Sequence, residues 1–403
     1  MISVPFLVNH YLKGFPFTSH FRQIAIWGGI IWLVFAFFNE DFVYDLLGMA
    51  PMDAVLHWRD AYTASGELAK GHWPFKDAWP LGNEAYLAYL AYLRLFTDCS
   101  PALPVAINGW AAFWGGLVLA RSLGGMLAQS RTKAGWLLLI IFFPSTVFWA
   151  TSNLKEAFMY WGGCQIFTIA FGPRRNSHPV LNPGVIAGIV VTAILRPHIC
   201  AVWLGACGSV AFFQRGQRVY ALLLLLALPF VEGGLERTVG IELSSPISAV
   251  EKLASQQKGQ LEAGAGGSKI EYGSEGSIFF LSGFTSIFFR PFPWEVRSLR
   301  VLISSVETWA VTILLIYGWL RMTPFERKLA LKTPAIQAAI LVCMVFSVFF
   351  TYLPNEGLMV RQRVQMIPAL LVLSFFPLFL RDFIADKSRR LNLHSHRKVH
   401  ATP

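Results

Sequence analysis

Long apolar stretches separated by short polar segments dominate this chain. A stretch of about twenty mostly apolar residues has the length of a membrane-spanning helix. The pattern therefore predicts an all-α, polytopic helical membrane protein with about ten transmembrane helices. The predicted spans are residues 22–38, 103–120, 134–150, 156–172, 183–196, 198–213, 219–234, 300–320, 334–353 and 363–380.

Three segments need a separate interpretation. The run 183–213 is too long for one span and contains Arg196-Pro197, so it is divided there into two short spans. Residues 84–96 are apolar too, but tyrosines recur there at helical spacing, which is typical of a helix lying in the membrane interface. Residues 278–289 are ambiguous for the same reason.

Composition supports a membrane protein over the soluble classes. Of 403 residues, 55% are hydrophobic and 14% are charged, whereas soluble domains carry about 25% charged residues. This excludes a cytosolic enzyme, a secreted disulfide scaffold and a DNA-binding module. The five cysteines form no CxxC motif and are interpreted as structural. The first long apolar run has no small-residue cleavage site, so no cleavable signal is expected.

The net charge of +11 acquires a meaning once it is sorted by side of the membrane. With both termini cytoplasmic, the predicted inner segments are strongly basic and the outer segments are acidic, as the positive-inside rule requires. A crossing by residues 84–96 would reverse this bias, which is why that segment is kept in the interface. The charge therefore predicts no polyanion partner and no nucleic acid.

This topology divides the chain into five parts. Two of them include long outer loops, where function is expected, and the Gly-rich stretch 256–276 is interpreted as a flexible loop without a phosphate-binding role. The parts are a cytoplasmic N-terminal segment (1–21), an N-terminal transmembrane module (22–234) with a large first outer loop (39–102), an outer loop with an interfacial segment (235–299), C-terminal transmembrane helices (300–380) and a basic cytoplasmic tail (381–403).

The first outer loop offers a candidate base and candidate stacking groups. A carboxylate such as Asp60 at the membrane surface has the chemistry to take a proton from an acceptor hydroxyl. Trp58 and Tyr62 present flat faces for a sugar or a lipid. The alternative is a solvated acidic loop with an aromatic belt.

Two further outer turns carry charged residues. Lys155 and Glu156 stand at the start of a predicted span. They are interpreted either as a functional charge pair or as a capped helix end. Arg196 and His198 mark the next outer turn, and ionisable residues at such depth are functional candidates. A structural role for His198 is the alternative, and no second histidine lies at metal-binding spacing.

The pair Arg361 and Arg363 lies on the predicted outer side against the charge rule, and Arg290 lies in an outer segment where two prolines prevent a regular helix. A guanidinium binds phosphate oxygens through two donors, so these residues indicate a lipid-linked phosphate; an anchoring pair for headgroups is the alternative. Glu307 falls about two turns into the following span and is predicted to be paired or to face a cavity.

In this order the motifs resemble the GT-C superfamily of polytopic glycosyltransferases. The segment RDAY…ASGELAKGHWPFKDAWPLGN is similar to that family's first outer loop, which gives Asp60 the catalytic acidic position and Asp77 a place in the Pro-Gly segment. FFPSTVFWATSNLKEA resembles the turn that ends at Glu156, and GVIAGIVVTAILRP the helix that ends at Arg196. RQRVQMIP is similar to an arginine motif of Wzy-like polysaccharide polymerases.

Departures limit what the resemblance implies. The protein-mannosylating branch has an acidic pair where this chain has Asp60-Ala61, and a His-Pro-Pro run where it has Trp79-Pro80-Leu81. Protein mannosylation is therefore not expected. With one aspartate in the motif no metal is indicated, although a divalent ion is left open, and no other cofactor is expected.

The resemblance implies an enzyme of the bacterial inner membrane. It would transfer a sugar from a polyprenyl-phosphate or -pyrophosphate donor to a glycan or lipid acceptor on the outer face. A polymerase or ligase of lipid-linked repeat units and a transporter or flippase remain alternatives. Asp60 and Glu156 are the expected catalytic residues, and the expected substrate-binding residues are Lys155, Arg196, His198, Arg290, Arg361, Arg363, Trp58, Tyr62 and Asp77.

Overall fold

The computed structural model describes most of the chain as packed helices. In the described residues there is no strand, which confirms the all-α class. The predicted span 219–234 lies outside them except for residue 222, and the loop 256–276 and Cys99 lie outside them entirely. The described residues are 3–13, 19–38, 52–98, 100–126, 136–171, 181–214, 218, 222, 284–296, 299–350, 356–380 and 384.

Fifteen α-helices can be labelled in chain order. Short 3-10 turns at Thr168–Phe171 and Pro293–Glu295 and a helical segment at 284–289 complete the described structure. The helices are α1 (Ser3–Leu12), α2 (Ser19–Phe38), α3 (Met52–Ala69), α4 (Asn83–Thr97), α5 (Ala102–Met126), α6 (Trp136–Ile141), α7 (Pro144–Ala150), α8 (Glu156–Phe167), α9 (Pro183–Leu195), α10 (Pro197–Phe212), α11 (Leu299–Arg321), α12 (Pro324–Leu331), α13 (Pro334–Phe350), α14 (Glu356–Arg363) and α15 (Ile367–Leu380).

Two described helices are long and apolar enough to cross a membrane. They are α5, over Ala102–Gly124, and α11, over Val301–Arg321. A third candidate is the pair α12 and α13, which is bent by 75° at a short break. Several shorter apolar helices accompany them, α2, α9, α10 and α15 among them. Membrane character is thus supported in part, and the predicted number of ten crossings is not confirmed.

Helix boundaries follow the prolines. The predicted break at Arg196-Pro197 is confirmed, since α9 ends at Leu195 and α10 begins at Pro197. Proline lacks the N–H that a helix interior needs but fits its first position. By the same rule the predicted span 134–150 is two helices, because Pro144 begins α7.

The first outer loop is more ordered than the apolar pattern predicts. It contains α4, where residues 84–96 are predicted to be helical, but also α3, which the search for apolar runs missed. Helix α3 mixes charged, polar and apolar residues and buries only a narrow stripe of small side chains, Ala54, Ala61, Ala64 and Ser65. Such an amphipathic stripe has helical spacing but too little apolar length to resemble a span.

Two helices show opposite environments. Nearly every side chain of α15 is buried and apolar, as expected for a helix at the centre of a bundle. Helix α11 instead exposes apolar side chains such as Val306, Ile313 and Leu320, which are 60–71% exposed. On a helix long enough to span a membrane, such a face suits contact with lipid.

Close packing of α8 against α9 brings together the ends of these helices that carry charge. A Cβ on Gly162 would lie 2.3 Å from Thr192 Cγ2, and one on Gly188 would lie 2.9 Å from Gln165 Cβ. Only glycine permits this approach. Because the two helices run antiparallel, the first residue of α8 and the residue that follows α9, Arg196, meet at one end.

Candidate functional site

Glu156 lies at the centre of a buried group of charges. Its side chain is fully buried, and its Oε1 accepts a hydrogen bond from Arg196 Nη2 at 2.6 Å and from Arg361 Nε at 2.7 Å. Glu156 begins α8, where the helix dipole favours a carboxylate. Three separate segments, the start of α8, the break between α9 and α10, and α14, therefore supply one ion network.

Both arginines make further contacts. Arg361 Nη1 donates to Asp53 on α3, and Arg196 Nη1 donates to the side-chain oxygen of Gln362. The Asp53 side chain is 55% exposed, so the network reaches the protein surface at that residue. We refer to Asp53, Lys155, Glu156, Arg196 and Arg361 as the Glu156 cluster.

Lys155 adds a third basic group to the Glu156 cluster. Its side chain is buried, and its Nζ donates to the amide oxygen of Asn83, which carries no charge. Burial lowers the pKa of Lys155. Three basic groups therefore face the carboxylates of Glu156 and Asp53. A bound anion would stabilise the ammonium form of Lys155.

Backbone contacts hold the segments that carry these charges. Gly82, just before α4, has φ +67°, and its N–H donates to the carbonyl of Ile194 at 2.8 Å. This turn places Asn83 next to the end of α9. Asn108 on α5, fully buried, donates to Tyr86 Oη and to the Ser152 carbonyl, both at 2.8 Å, so it fixes the turn that leads to Lys155.

We expect Asn108→Ala to lower the stability of the protein. The substitution leaves the Tyr86 hydroxyl and the Ser152 carbonyl without this donor in the interior, at a cost of about 3 kcal/mol for the two groups together. The midpoint of thermal unfolding in detergent measures the loss. Gln337→Ala, at an exposed position on α13, is the control, and an equal midpoint for the two variants would contradict this role for Asn108.

Some buried polar atoms near the Glu156 cluster can still form hydrogen bonds. Glu156 Oε2, Asn153 Oδ1 and His198 Nδ1 are buried and have no hydrogen-bond partner in the described part of the chain. His198 lies in the first turn of α10, within electrostatic reach of Arg196 and Lys155. These atoms are available to hydroxyl or water donors.

The structure thus brings together five of the residues expected from the sequence. Lys155, Glu156, Arg196 and Arg361 form one network, and His198 lies beside it. The residues come from positions more than 200 apart in the chain, as Glu156 and Arg361 show.

Arg363 and Arg290 form a separate group. Arg363 is buried and donates to Thr308 Oγ1 and to the backbone carbonyl of Arg290. The Arg290 side chain pairs with Glu295 at 3.2 Å. Because Arg361 and Arg363 are two positions apart on α14, their side chains point to different neighbours.

Glu307 accepts a hydrogen bond and faces a cavity, and the sequence left both possibilities open. Its Oε2 accepts from the Ser145 N–H at 2.6 Å. It also lines a cavity of about 20 Å³ with Arg363 and otherwise mostly apolar side chains between α11 and α15. This volume is enough for a water molecule, not for a sugar.

Asp60 and Asp77 lie away from the Glu156 cluster. The Asp60 side chain is 51% exposed, and its ion pair within the described structure is with Arg59, at 3.6 Å. Asp77 is exposed in the loop between α3 and α4, where its carbonyl accepts from Trp73 Nε1 at 2.9 Å. Neither carboxylate contacts the buried arginines.

Trp58 and Tyr62 stack on an arginine of the neighbouring helix. The Arg94 guanidinium lies 5.4 Å from the Trp58 ring centroid and 4.2 Å from that of Tyr62. This cation–π arrangement joins α3 to α4 on the surface. Tyr62 remains 61% exposed, so part of its ring is accessible to a ligand.

Five residues at the site were missed by the sequence reasoning. Asp53 and His57 lie four apart on α3, a spacing that places them on one face, but that helix was not predicted. Asn83 and Gln362 are ordinary polar residues in sequence. Asn108, an amide within an apolar run, carried a detectable signal, because such residues commonly hydrogen-bond between helices.

No group of three or more His, Cys, Asp or Glu side chains that could hold a metal ion is found in the described ranges.

Comparisons with known proteins add no family. Neither a protein-family model nor a curated protein nor a solved structure matches this chain.

Proposed function

We propose that this protein is an integral membrane glycosyltransferase. It transfers a sugar from a polyprenyl-phosphate or -pyrophosphate donor to a glycan or lipid acceptor on the outer face of a bacterial inner membrane. The observation that carries the proposal is the convergence of Arg196 and Arg361 on buried Glu156, with Lys155 beside them. The sugar donor is suggested by the resemblance of the motifs to the GT-C superfamily.

The arginines have the chemistry to hold the donor phosphate. Their guanidinium groups present paired donors that match phosphate oxygens. As the bond to the sugar breaks, negative charge grows on the leaving oxygen, and donors already fixed in a dry site stabilise it. Glu156 keeps both guanidinium groups in position while no donor is bound.

The surroundings of the arginines suit a lipid-linked phosphate. Arg196 stands at the break between the apolar helices α9 and α10, and Arg361 lies shortly before α15. A charged group at the end of apolar helices fits a ligand with an anionic head and a hydrocarbon tail. A free nucleotide sugar would need no such apolar neighbourhood.

The acceptor base is better sought at the opening of the Glu156 cluster than at Asp60. The sequence predicted Asp60, which is exposed and paired with Arg59. Asp53 and His57, two turns and one turn earlier on α3, lie near Arg361 instead. Proximity to the proton that is removed is the first requirement for a general base.

Two aspartates of α3 provide a matched test of this assignment. Asp53 and Asp60 have similar exposure and each pairs with one arginine. We expect Asp53→Asn to lower the rate of transfer about tenfold or more, because a hydrogen bond to a charged group contributes about 1.5–3 kcal/mol. Asp60→Asn should change the rate by less than about twofold, as expected for an exposed ion pair.

The rates are measured with purified protein in nanodiscs and short-chain polyprenyl-phosphate and -pyrophosphate sugars, with product detection by mass spectrometry. Loss of transfer in Asp60→Asn with normal transfer in Asp53→Asn would contradict the assignment and favour the base predicted from the sequence.

Transport is a second candidate because of one observation. Glu307 lies inside a candidate span and faces a cavity with Arg363, and charged residues within spans mark transport pathways in many proteins. The same product analysis separates the two functions. Transfer releases the polyprenyl phosphate and lengthens the acceptor, whereas transport leaves the lipid-linked sugar intact.

A further inference from the structure

His57 lies at the opening of the Glu156 cluster. It follows Asp53 by one turn of α3, so the two side chains share a face. Its ring packs edge-on against Tyr86, with ring centroids 5.8 Å apart, and Tyr86 is itself fixed by Asn108. The His57 side chain is only partly buried, so a ligand has access to it.

The buried carboxylate of the Glu156 cluster is a poor base. Glu156 accepts hydrogen bonds from two arginines. An ion pair favours the charged form of a carboxylate and so weakens its attraction for a proton. A neutral imidazole in the same place accepts a proton more readily.

Charged groups from three elements face His57. They are Asp53 on α3, Lys155 and Glu156 at the start of α8, and Arg361 on α14, while the phenol of Tyr86 contacts it from α4. Burial and then Arg361 lower the pKa of His57, against the opposing effect of Asp53. The imidazole is therefore neutral at pH 7 and free to accept a proton.

We propose that His57 is the general base that takes the proton from the acceptor hydroxyl in sugar transfer. This rests on the function proposed above. The acceptor oxygen forms a bond to the anomeric carbon as the bond from that carbon to the donor phosphate oxygen breaks. The electron pair leaves with the phosphate, which Arg196 and Arg361 stabilise, and the proton passes to the imidazole and then to water.

The test compares His57→Gln with the unchanged protein in nanodiscs, using a panel of short-chain polyprenyl-phosphate and -pyrophosphate sugars. We expect His57→Gln to transfer about a hundredfold more slowly, within the range for loss of a general base. The unchanged protein should lose activity as the pH falls through the pKa of His57, below about 6.5, because protonation occupies the base. This loss of activity at low pH should be absent from the residual rate of His57→Gln.

A second variant separates a chemical role from a structural one. His57→Ala should regain part of its rate when imidazole is added, which a packing defect would not allow. His72→Gln is the control, because His72 lies on the surface between α3 and α4 and pairs with Glu67 at 3.1 Å. His72→Gln should keep the full rate and the same loss of activity at low pH.

The outcomes separate the two proposals. Transfer by the unchanged protein together with an unaltered rate and pH profile in His57→Gln would overturn the role of His57 alone. A slow His57→Ala variant without rescue by imidazole would also count against it. If the unchanged protein transfers no sugar from any donor of the panel, the proposed function fails, and the role of His57 fails with it.

Discussion

Arg361→Ala is expected to reduce sugar transfer by about a hundredfold to a thousandfold, as found when one donor to a developing negative charge is removed. Arg361 reaches two carboxylates at once, Glu156 through Nε and Asp53 through Nη1. Its loss removes a phosphate ligand and also leaves Asp53 without its partner. Transfer by the purified protein and binding of farnesyl phosphate in detergent measure the two effects.

Arg361→Lys tests whether the shape of the guanidinium matters. Lysine keeps the charge but lacks two donors in a fixed plane, so binding of farnesyl phosphate should be weaker than in the unchanged protein and stronger than in Arg361→Ala. Arg327→Ala is the control, since Arg327 is exposed and donates to two backbone carbonyls at the end of α11. Equal binding by Arg361→Ala and the unchanged protein would refute a phosphate site at this residue.

The charge pattern of the sequence located part of this site. Arg361 stood out because it broke the positive-inside rule, and Glu156 and Arg196 because they began or ended apolar runs. The rule that links ionisable residues at membrane depth to function therefore selected residues that the fold brings together. It could not say that they contact one another, since these pairings join distant parts of the chain.

The errors of the sequence reasoning have a common cause. A search for apolar runs detects helices that face apolar surroundings on most sides. Helix α3 buries only a narrow stripe of small residues, so the sequence reading treated it as loop. The helical spacing that places Asp53 and His57 on one face was therefore not recognised. Asp60 was selected by its place at the predicted membrane surface and by its motif, and its ion pair in the described structure is with the exposed Arg59.

Arg363 shows a second limit of the sequence. It was grouped with Arg361 because both break the charge rule and both lie at the entrance of the last predicted span. On a helix, two positions correspond to about 200° of rotation, so the pair divides between two networks. Arg361 joins the Glu156 cluster, while Arg363 joins α14 to Thr308 on α11 and to the carbonyl of Arg290.

Glu156→Gln should destabilise the protein by about 3–5 kcal/mol, the usual cost of removing one partner of a buried ion pair. The carboxylate is fully buried between Arg196 and Arg361, with Lys155 adjacent. Glutamine keeps the shape of the side chain but leaves these basic groups with Asp53 as their only remaining carboxylate in the cluster. The midpoint of thermal unfolding in detergent reports the loss.

Inorganic phosphate should partly reverse this loss, because an anion that binds the folded protein raises its stability. The gain in unfolding midpoint should be larger for Glu156→Gln than for the unchanged protein, since the substitution frees donors of both arginines. Glu326→Gln is the matched control. Glu326 is also buried, but its carboxylate accepts from the Thr323 N–H at 2.7 Å in a helix cap, where glutamine can accept the same bond, so the change should cost less than about 1 kcal/mol. An equal response of the two variants to phosphate would mean that the arginines around Glu156 do not form an anion site.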